Sequence, residues 1–200
     1  MSVVVGIKKN GIVYLGADSQ VTKGGTRLSL SNQNNFKIWK VKGIENCIMG
    51  HVGSVREACV IKVMNNLVKE IDIIHNNVDY EYVVTRITPM IISELKDYNY
   101  IDIDGCFKEI NSKFLFAIKD KLFMINYDGA VLEIDDCVSI GSGENEAIGS
   151  LITSEQEHDP EERIIKAIKA SAAHDIYVDY PIILCNTENT TFKIITENNK

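Results

Sequence analysis

Few residues in this chain are spaced for chemistry. His51, His75, His158 and His174 are scattered, with no H-x-x-x-H or H-E-x-x-H spacing, so a metal-hydrolase helix is not expected. No G-x-S-x-G elbow is present. Gly141-Ser142-Gly143 places a G-x-G at a strand-to-helix junction, where a phosphate could be cradled. The rest of a dinucleotide fingerprint is missing and no G-K-[ST] follows, so that use is disfavoured. What remains is Ser2. Removal of Met1 before a small residue would give Ser2 a hydroxyl and a free α-amine together. An α-amine has a pKa of about 7.7–8.0, so much of it is neutral near that pH and can serve as a base. Nucleophile and base would then belong to one residue. Taken alone, a serine at position 2 is common and means nothing, so the weight rests on what surrounds it.

The elements that must position Ser2 begin with Val3-Val4-Val5-Gly6-Ile7, Asn10-Gly11 and Ile12 to Ala17. Asn-Gly between two β-branched runs predicts a type I′ hairpin. The near-continuous apolar character predicts strands covered on both faces. Residues 18–35 read as a polar loop. Phe36 to Val41 alternates apolar with basic, predicting a half-buried strand, and Asn46 to Gly53 predicts a strand ending in a Gly-punctuated turn. From Ser54, the set Val55, Ala58, Cys59, Ile61, Lys62, Val63, Asn66 and Leu67 fits a helix with one apolar face. Asp79 to Leu95 predicts a second helix, which Pro89 should kink or stop. Lys113–Lys119, Lys121–Tyr127 and Ala130–Ile134 are short strands with turn signals between them. A helix follows from Glu144 to Thr153. Another starts where Asp159 caps, Pro160 takes the first position and Glu161-Glu162 meet the dipole, with Ile164, Ile165, Ile168, Ala172 and Ala173 as its buried face. Pro181–Cys185 and Thr191–Thr196 are closing strands. The order of strands, two helices, strands, two helices and strands predicts two mainly antiparallel sheets with helices packed outside them, an α+β sandwich.

Composition sets the boundaries. The 200 residues predict one domain spanning residues 1–200, and a chain of this size buries roughly 70% of its unfolded surface without a staple. Net charge is −7, which disfavours a nucleic-acid partner. No apolar run reaches the length of a membrane span, and Met1 to Gly6 lacks the character of a secretion signal, so a cytoplasmic protein is expected. Cys47, Cys59, Cys106, Cys137 and Cys185 form no C-x-x-C pair and are odd in number. They are read as buried small hydrophobes in a reducing compartment. No metal or cofactor is called for.

The run Ser2 to Gln20 resembles the start of mature proteasome β-type subunits and of their bacterial relative, the peptidase of the two-component ATP-dependent protease. Asn35-Phe36-Lys37-Ile38 is similar to that family's catalytic-lysine landmark. Met49 to Ser54 resembles its Gly-rich turn into the first helix, Ile140 to Gly143 its Gly-Ser-Gly turn, and His174 to Tyr177 its Asp segment. The landmarks fall in family order over nearly the whole chain. The resemblance implies the four-layer αββα sandwich of N-terminal nucleophile hydrolases.

Carried over residue by residue, the resemblance implies that Ser2 is the nucleophile and its amine, through a water, the base. Lys37 would lower the hydroxyl's pKa, Asp18 would hold Lys37 charged, and the Gly53 N–H would stabilise the oxyanion. Ser142 and Asp175 would position the amine. The first side-chain pocket would have His51 near its floor and Val21 and Val55 on its walls, with a purely structural His51 left open. The chain departs from the pattern in carrying Ser where the family has Thr, and Val178 where proteasome subunits usually place Ser. Residues 19–35 are also slightly longer than in the bacterial peptidase. Activation is expected to need only loss of Met1. The implied function is a threonine-type endopeptidase with a serine nucleophile, in a homo-oligomeric ring fed unfolded polypeptide by an ATP-dependent unfoldase. A small-molecule amidase on the same scaffold and an inactive structural ring subunit are the alternatives.

Overall fold

The computed structural model describes residues 2–23, 25–29, 32–65, 67, 68, 72, 78–98 and 110–197. The predicted hairpin is formed by β1 (Val3–Lys9) and β2 (Ile12–Ala17). Asn10 and Gly11 sit at φ 53° and 76°, as a type I′ turn requires. β1 pairs on its other side with β10 (Cys137–Gly141). β2 pairs with β11 (Ile182–Asn186), which pairs with β12 (Lys193–Ile195). The first sheet therefore runs β10-β1-β2-β11-β12. The second runs β5-β6-β7-β8-β9, from β5 (Ile38–Lys40), β6 (Cys47–Gly53), β7 (Ser112–Ile118), β8 (Lys121–Ile125) and β9 (Val131–Ile134). Every pairing in both sheets is antiparallel.

Alternation along β1 explains the layering. Val3, Val5 and Ile7 face α4 (Glu144–Thr153) and α5 (Pro160–His174), packing with Leu151, Ile164 and Ile168. Val4 faces the opposite way and joins Leu15, Ile38, Ile48, Leu115 and Ile140 between the sheets. Beyond the second sheet, Trp39, Phe116 and Phe123 pack on Ile61 of α1 (Val55–Val63) and on Ile87 and Ile91. Three apolar layers separate four structural ones, the expected α+β sandwich.

Several details depart from the sequence reading. The segment read as a loop contains a two-stranded hairpin, β3 (Gln20–Lys23) with β4 (Thr26–Ser29). Its polar composition reflects exposure of residues such as Thr22, Thr26 and Arg27 rather than absence of strand. The half-buried strand at 36–41 shrinks to three residues, and Lys37 turns inward. In α1 the buried face is Glu57, Ala58, Val60 and Ile61, while Val55, Cys59 and Val63 are exposed. Cys59 is thus not a core residue and Cys137 is only half-buried, whereas Cys47 and Cys185 are buried. Cys106, His75 and Asn66 lie outside the described residues. Ala173 is exposed because the buried stripe of α5 passes instead through Ala167 and Ser171.

The predicted Pro89 effect takes a specific form. α2 (Tyr80–Tyr82) widens into a π-helical segment at Val83–Ile87 before α3 (Thr88–Asp97). The Thr88 N–H donates to Val83 O, one residue further back than in an α-helix. Proline has no N–H to keep the ladder in α register, and the wider turn accommodates that loss. The start of α5 follows the sequence reading, with Asp159 Oδ1 accepting from the Glu161 N–H at 2.9 Å and Pro160 in the first turn.

Candidate active site

Ser2 lies immediately before β1, an interior strand of the first sheet, and is 7% exposed. The register Val3↔Gly141 places the end of β10 beside it, and Val4↔Ala17 does the same for the end of β2. The next residue of each strand supplies a functional group. Ser142 Oγ accepts from the Ser2 backbone N at 3.0 Å and stands 3.3 Å from Ser2 O, to which it can donate. Asp18 Oδ1 accepts from the Val3 N–H at 2.9 Å and Oδ2 from the Gln20 N–H at 3.0 Å.

Lys37 comes from the opposite sheet and closes onto Asp18, with Nζ 2.7 Å from both carboxylate oxygens. Asp18 is fully buried and Lys37 nearly so. Burial pushes the Lys37 ammonium below its ordinary value against the pull of Asp18 and, more weakly, Asp175. Burial likewise pushes the Asp18 carboxyl up, opposed by Lys37 and the two backbone donors.

Two glycines bring backbone to the site at positive φ. At Gly141 (φ 114°) an added Cβ would sit 2.1 Å from Ser2 O. At Gly53 (φ 111°) it would sit 2.1 Å from Asn111 O. Only glycine permits both the conformation and the approach.

Val21, His51, Gly53 and Val55 line one cavity of about 130 Å³ together with Ser2 and Lys37. A second cleft, about 300 Å³, meets the first at Ser2 and Gly53 and is lined by Ser142, Lys113, Tyr127 and Glu144. Asp18 lies behind Lys37 rather than on either wall. Asp175 caps the C-terminus of α5, with Oδ1 accepting from the Tyr177 N–H at 2.9 Å. Its Oδ2 is buried without a hydrogen-bond partner. Val178 packs into the helix-side core against Gly143. Among the described residues no cluster of His, Cys, Asp or Glu could hold a metal ion.

His51 is both wall and structure. Its N–H donates to Lys37 O at 2.9 Å, and its ring meets Trp39 edge-on, with centroids 5.6 Å apart. Burial, with Lys62 and Lys37 nearby, pushes its pKa down to about 3. His51 is therefore neutral near pH 7 and should add no step near pH 6.5 to an activity profile. The sign for stability follows from linkage. An unfolded histidine takes up a proton as pH falls through about 6.5, while folded His51 waits until about 3. His51 should therefore cost increasing stability as pH falls below about 6.5. Melting temperature against pH for wild type and His51→Gln checks this, and the variant should show a shallower decline.

Several residues that hold the site were missed in the sequence. Ser171 Oγ donates to Gly143 O at 2.7 Å, and Glu144 Oε2 accepts from the Gly141 N–H at 3.1 Å, so both brace the Gly-Ser-Gly turn. Ser171 reads as a small core residue, and nothing local marks it. Glu57 was missed too, although Ser54-Val55-Arg56-Glu57 fits a capping box that could have marked it. Ser54 Oγ does accept from the Glu57 N–H at 3.3 Å. The Glu57 carboxylate, however, accepts from the Asn111 N–H at 3.0 Å, and Asn111 O accepts from the Ser54 N–H at 2.9 Å. That closed circuit anchors the residue after Gly53.

No helix among the described residues is long and apolar enough to cross a membrane. The same chain order and layering recur in known proteins. The chain is 26% identical over 195 residues to the ATP-dependent protease subunit HslV of Petrotoga mobilis, covering 96% of each. Its fold matches Thiobacillus denitrificans BPH in complex with epoxomicin at a TM-score of 0.70 and 19% identity, over 94% of this chain and 99% of that one. It matches the HslV of Trypanosoma brucei at 0.67 and 20% identity, over 92% and 98%. Residues 2–185, from Ser2 to the strand beside β2, match the proteasome subunit family, and the chain belongs to it.

Proposed function

We propose that this chain is a proteasome-like peptidase that cleaves polypeptide with Ser2 as its N-terminal nucleophile. The observation that carries the reading is the placement of Ser2, with its backbone N on Ser142 Oγ and the buried Lys37–Asp18 pair beside it. While Met1 is attached, Ser2 N is a peptide nitrogen and no base. Its bond to Ser142 supports that hydroxyl as the partner of the α-amine once Met1 is removed. The Ser2 hydroxyl then attacks the scissile carbonyl and gives its proton to that amine, through a water. Lys37 lowers the cost of the developing alkoxide by its charge, and Asp18 keeps Lys37 oriented. The Gly53 N–H receives the oxyanion, a contribution of about 2.7–4 kcal/mol for such a donor. Loss of the amine product leaves an ester on Ser2, which water hydrolyses with the same amine as base. Asp175, with its unpartnered buried oxygen, orients the amine alongside Ser142.

Two clefts meeting at Ser2 favour a chain that runs past the nucleophile on both sides, an endopeptidase substrate, over a small amide. Family membership and the ATP-dependent relative support a cytoplasmic homo-oligomeric ring of single-domain subunits, supplied by an ATP-powered unfoldase.

Acetylation tests the base. With loss of Met1 verified by intact mass, hydrolysis of short fluorogenic peptides should rise with pH through the amine's pKa, about 7.7–8.0 in the absence of perturbation. Selective acetylation of the amine should abolish turnover. Full turnover after verified acetylation, or full activity in protein that retains Met1, overturns the mechanism.

A further inference from the structure

The cavity beside Ser2 has an uneven charge. Among the described residues that line it, none is Asp or Glu, while Lys37 and Lys62 both reach it. Lys37 is committed to Asp18 through two 2.7 Å bonds. His51 is neutral, as its burial requires. Lys62 differs from both. It projects from the last turn of α1, and Nζ donates to Phe36 O at 2.6 Å and to Asn34 O at 3.3 Å. The same Nζ stands 5.2 Å from the centre of the Trp39 ring. No carboxylate lies within ion-pair distance of it among the described residues. Two carbonyls and a ring face hold the ammonium in place and leave its charge uncompensated.

We propose that Lys62 is the specificity-determining residue of this pocket and selects an acidic side chain, Asp or Glu, on the residue immediately before the scissile bond. The inference rests on the peptidase reading of Ser2. The fold has already partly desolvated Lys62 and fixed its position. An incoming carboxylate therefore gains a charge-assisted bond without the usual ordering of a flexible lysine. A basic side chain would meet the unpaired Lys62 charge with no carboxylate on the wall to offset it. An apolar one would gain no bond from Lys62, which is half-buried and also lines a second cleft with Trp39. The polar amides of Asn34 and Asn35 on the same wall suit a carboxylate's second oxygen.

The test uses the full chain with Met1 removed and matched peptides that differ only in carrying Glu, Gln or Lys before a fluorogenic amide, the Glu-to-Gln ratio being the main readout. Wild type should favour Glu in kcat/KM by at least about tenfold, the scale of a hydrogen bond to a charged group. The preference should shrink at high salt. Lys62→Met should bring the ratio to about one, Lys62→Arg should keep it, and Lys62→Glu should turn the preference toward Lys. The ratio is internal to each protein, so a variant with less folded protein still reports it. A wild-type ratio of one or below, or an unchanged ratio in Lys62→Met, overturns the proposal. If no peptide is cut at all, the peptidase reading fails instead. Fluorescence anisotropy with Ser2→Ala protein and labelled uncleavable peptide amides ending in Glu or Gln then still decides the pocket's preference. Tighter binding of the Glu peptide that disappears when Lys62→Met is added supports it, and equal binding refutes it.

Discussion

Ser2→Ala should reduce peptide hydrolysis to background while leaving the fold and any oligomer intact. The substitution removes only the attacking oxygen. The backbone N that bonds Ser142, the Val3 N–H that bonds Asp18, and the Gly53 turn are all main-chain features and stay. In hydrolases whose nucleophile, base and orienting group act as a unit, loss of the nucleophile costs on the order of a million-fold. The same scale is expected here. Ser2→Thr should stay active, because threonine supplies the hydroxyl and its extra methyl restricts the rotamer. A peptide epoxyketone or β-lactone should modify the first tryptic peptide of wild type and spare Ser2→Ala. Turnover at the wild-type rate in Ser2→Ala, or an adduct on Cys59 instead, would show that this chain has the fold without the chemistry.

Lys37→Ala should abolish activity and also destabilise the protein. From sequence alone, Lys37 looks like a residue that serves chemistry and can be removed without harm to packing. Its burial against Asp18 changes that expectation. Removing the ammonium strands a carboxylate with no exposed surface, held by the Val3 and Gln20 N–H groups alone. Breaking a buried pair from one side costs roughly 3–5 kcal/mol. For a chain of this length that corresponds to a melting-temperature loss of roughly 10 °C. The double variant Lys37→Met with Asp18→Asn removes both charges and should recover most of the stability, yet remain inactive. Thermal melts and peptide assays on the two variants separate the roles. A stable and active Lys37→Ala would remove Lys37 from both.

The parts of the fold that were legible are those fixed by local rules. Asn10-Gly11 dictates its hairpin by the positive φ of both residues. Asp159-Pro160 dictates a helix start through a cap and a residue that needs no N–H. The β3–β4 hairpin was hidden because strand periodicity depends on a buried face, and its tip is exposed. The apolar face of α1 was misplaced because Glu57 is buried for a backbone partner distant in sequence, Asn111. The site divides in the same way. Ser2, Gly53 and the Gly-Ser-Gly turn stand at punctuation points that a sequence exposes. The depth of Lys37, the brace from Ser171 and the isolation of Lys62 depend on which side of a distant element each residue meets, and no local spacing encodes that.

Asp18 belongs to one sheet and Lys37 to the other, and Asp18 also binds the amide hydrogens of Val3 and Gln20. The Val3 amide is therefore held by a buried carboxylate that Lys37 pins from the other sheet. Freeing it by fraying would strand a buried carboxylate oxygen, so its exchange should need an opening that reaches the ion pair. Strand termini ordinarily exchange early, but here the terminus next to Ser2 should be among the last to do so. Loss of amide protection at Val3 and loss of catalytic competence should then follow one denaturant curve, because a single cooperative unit holds both.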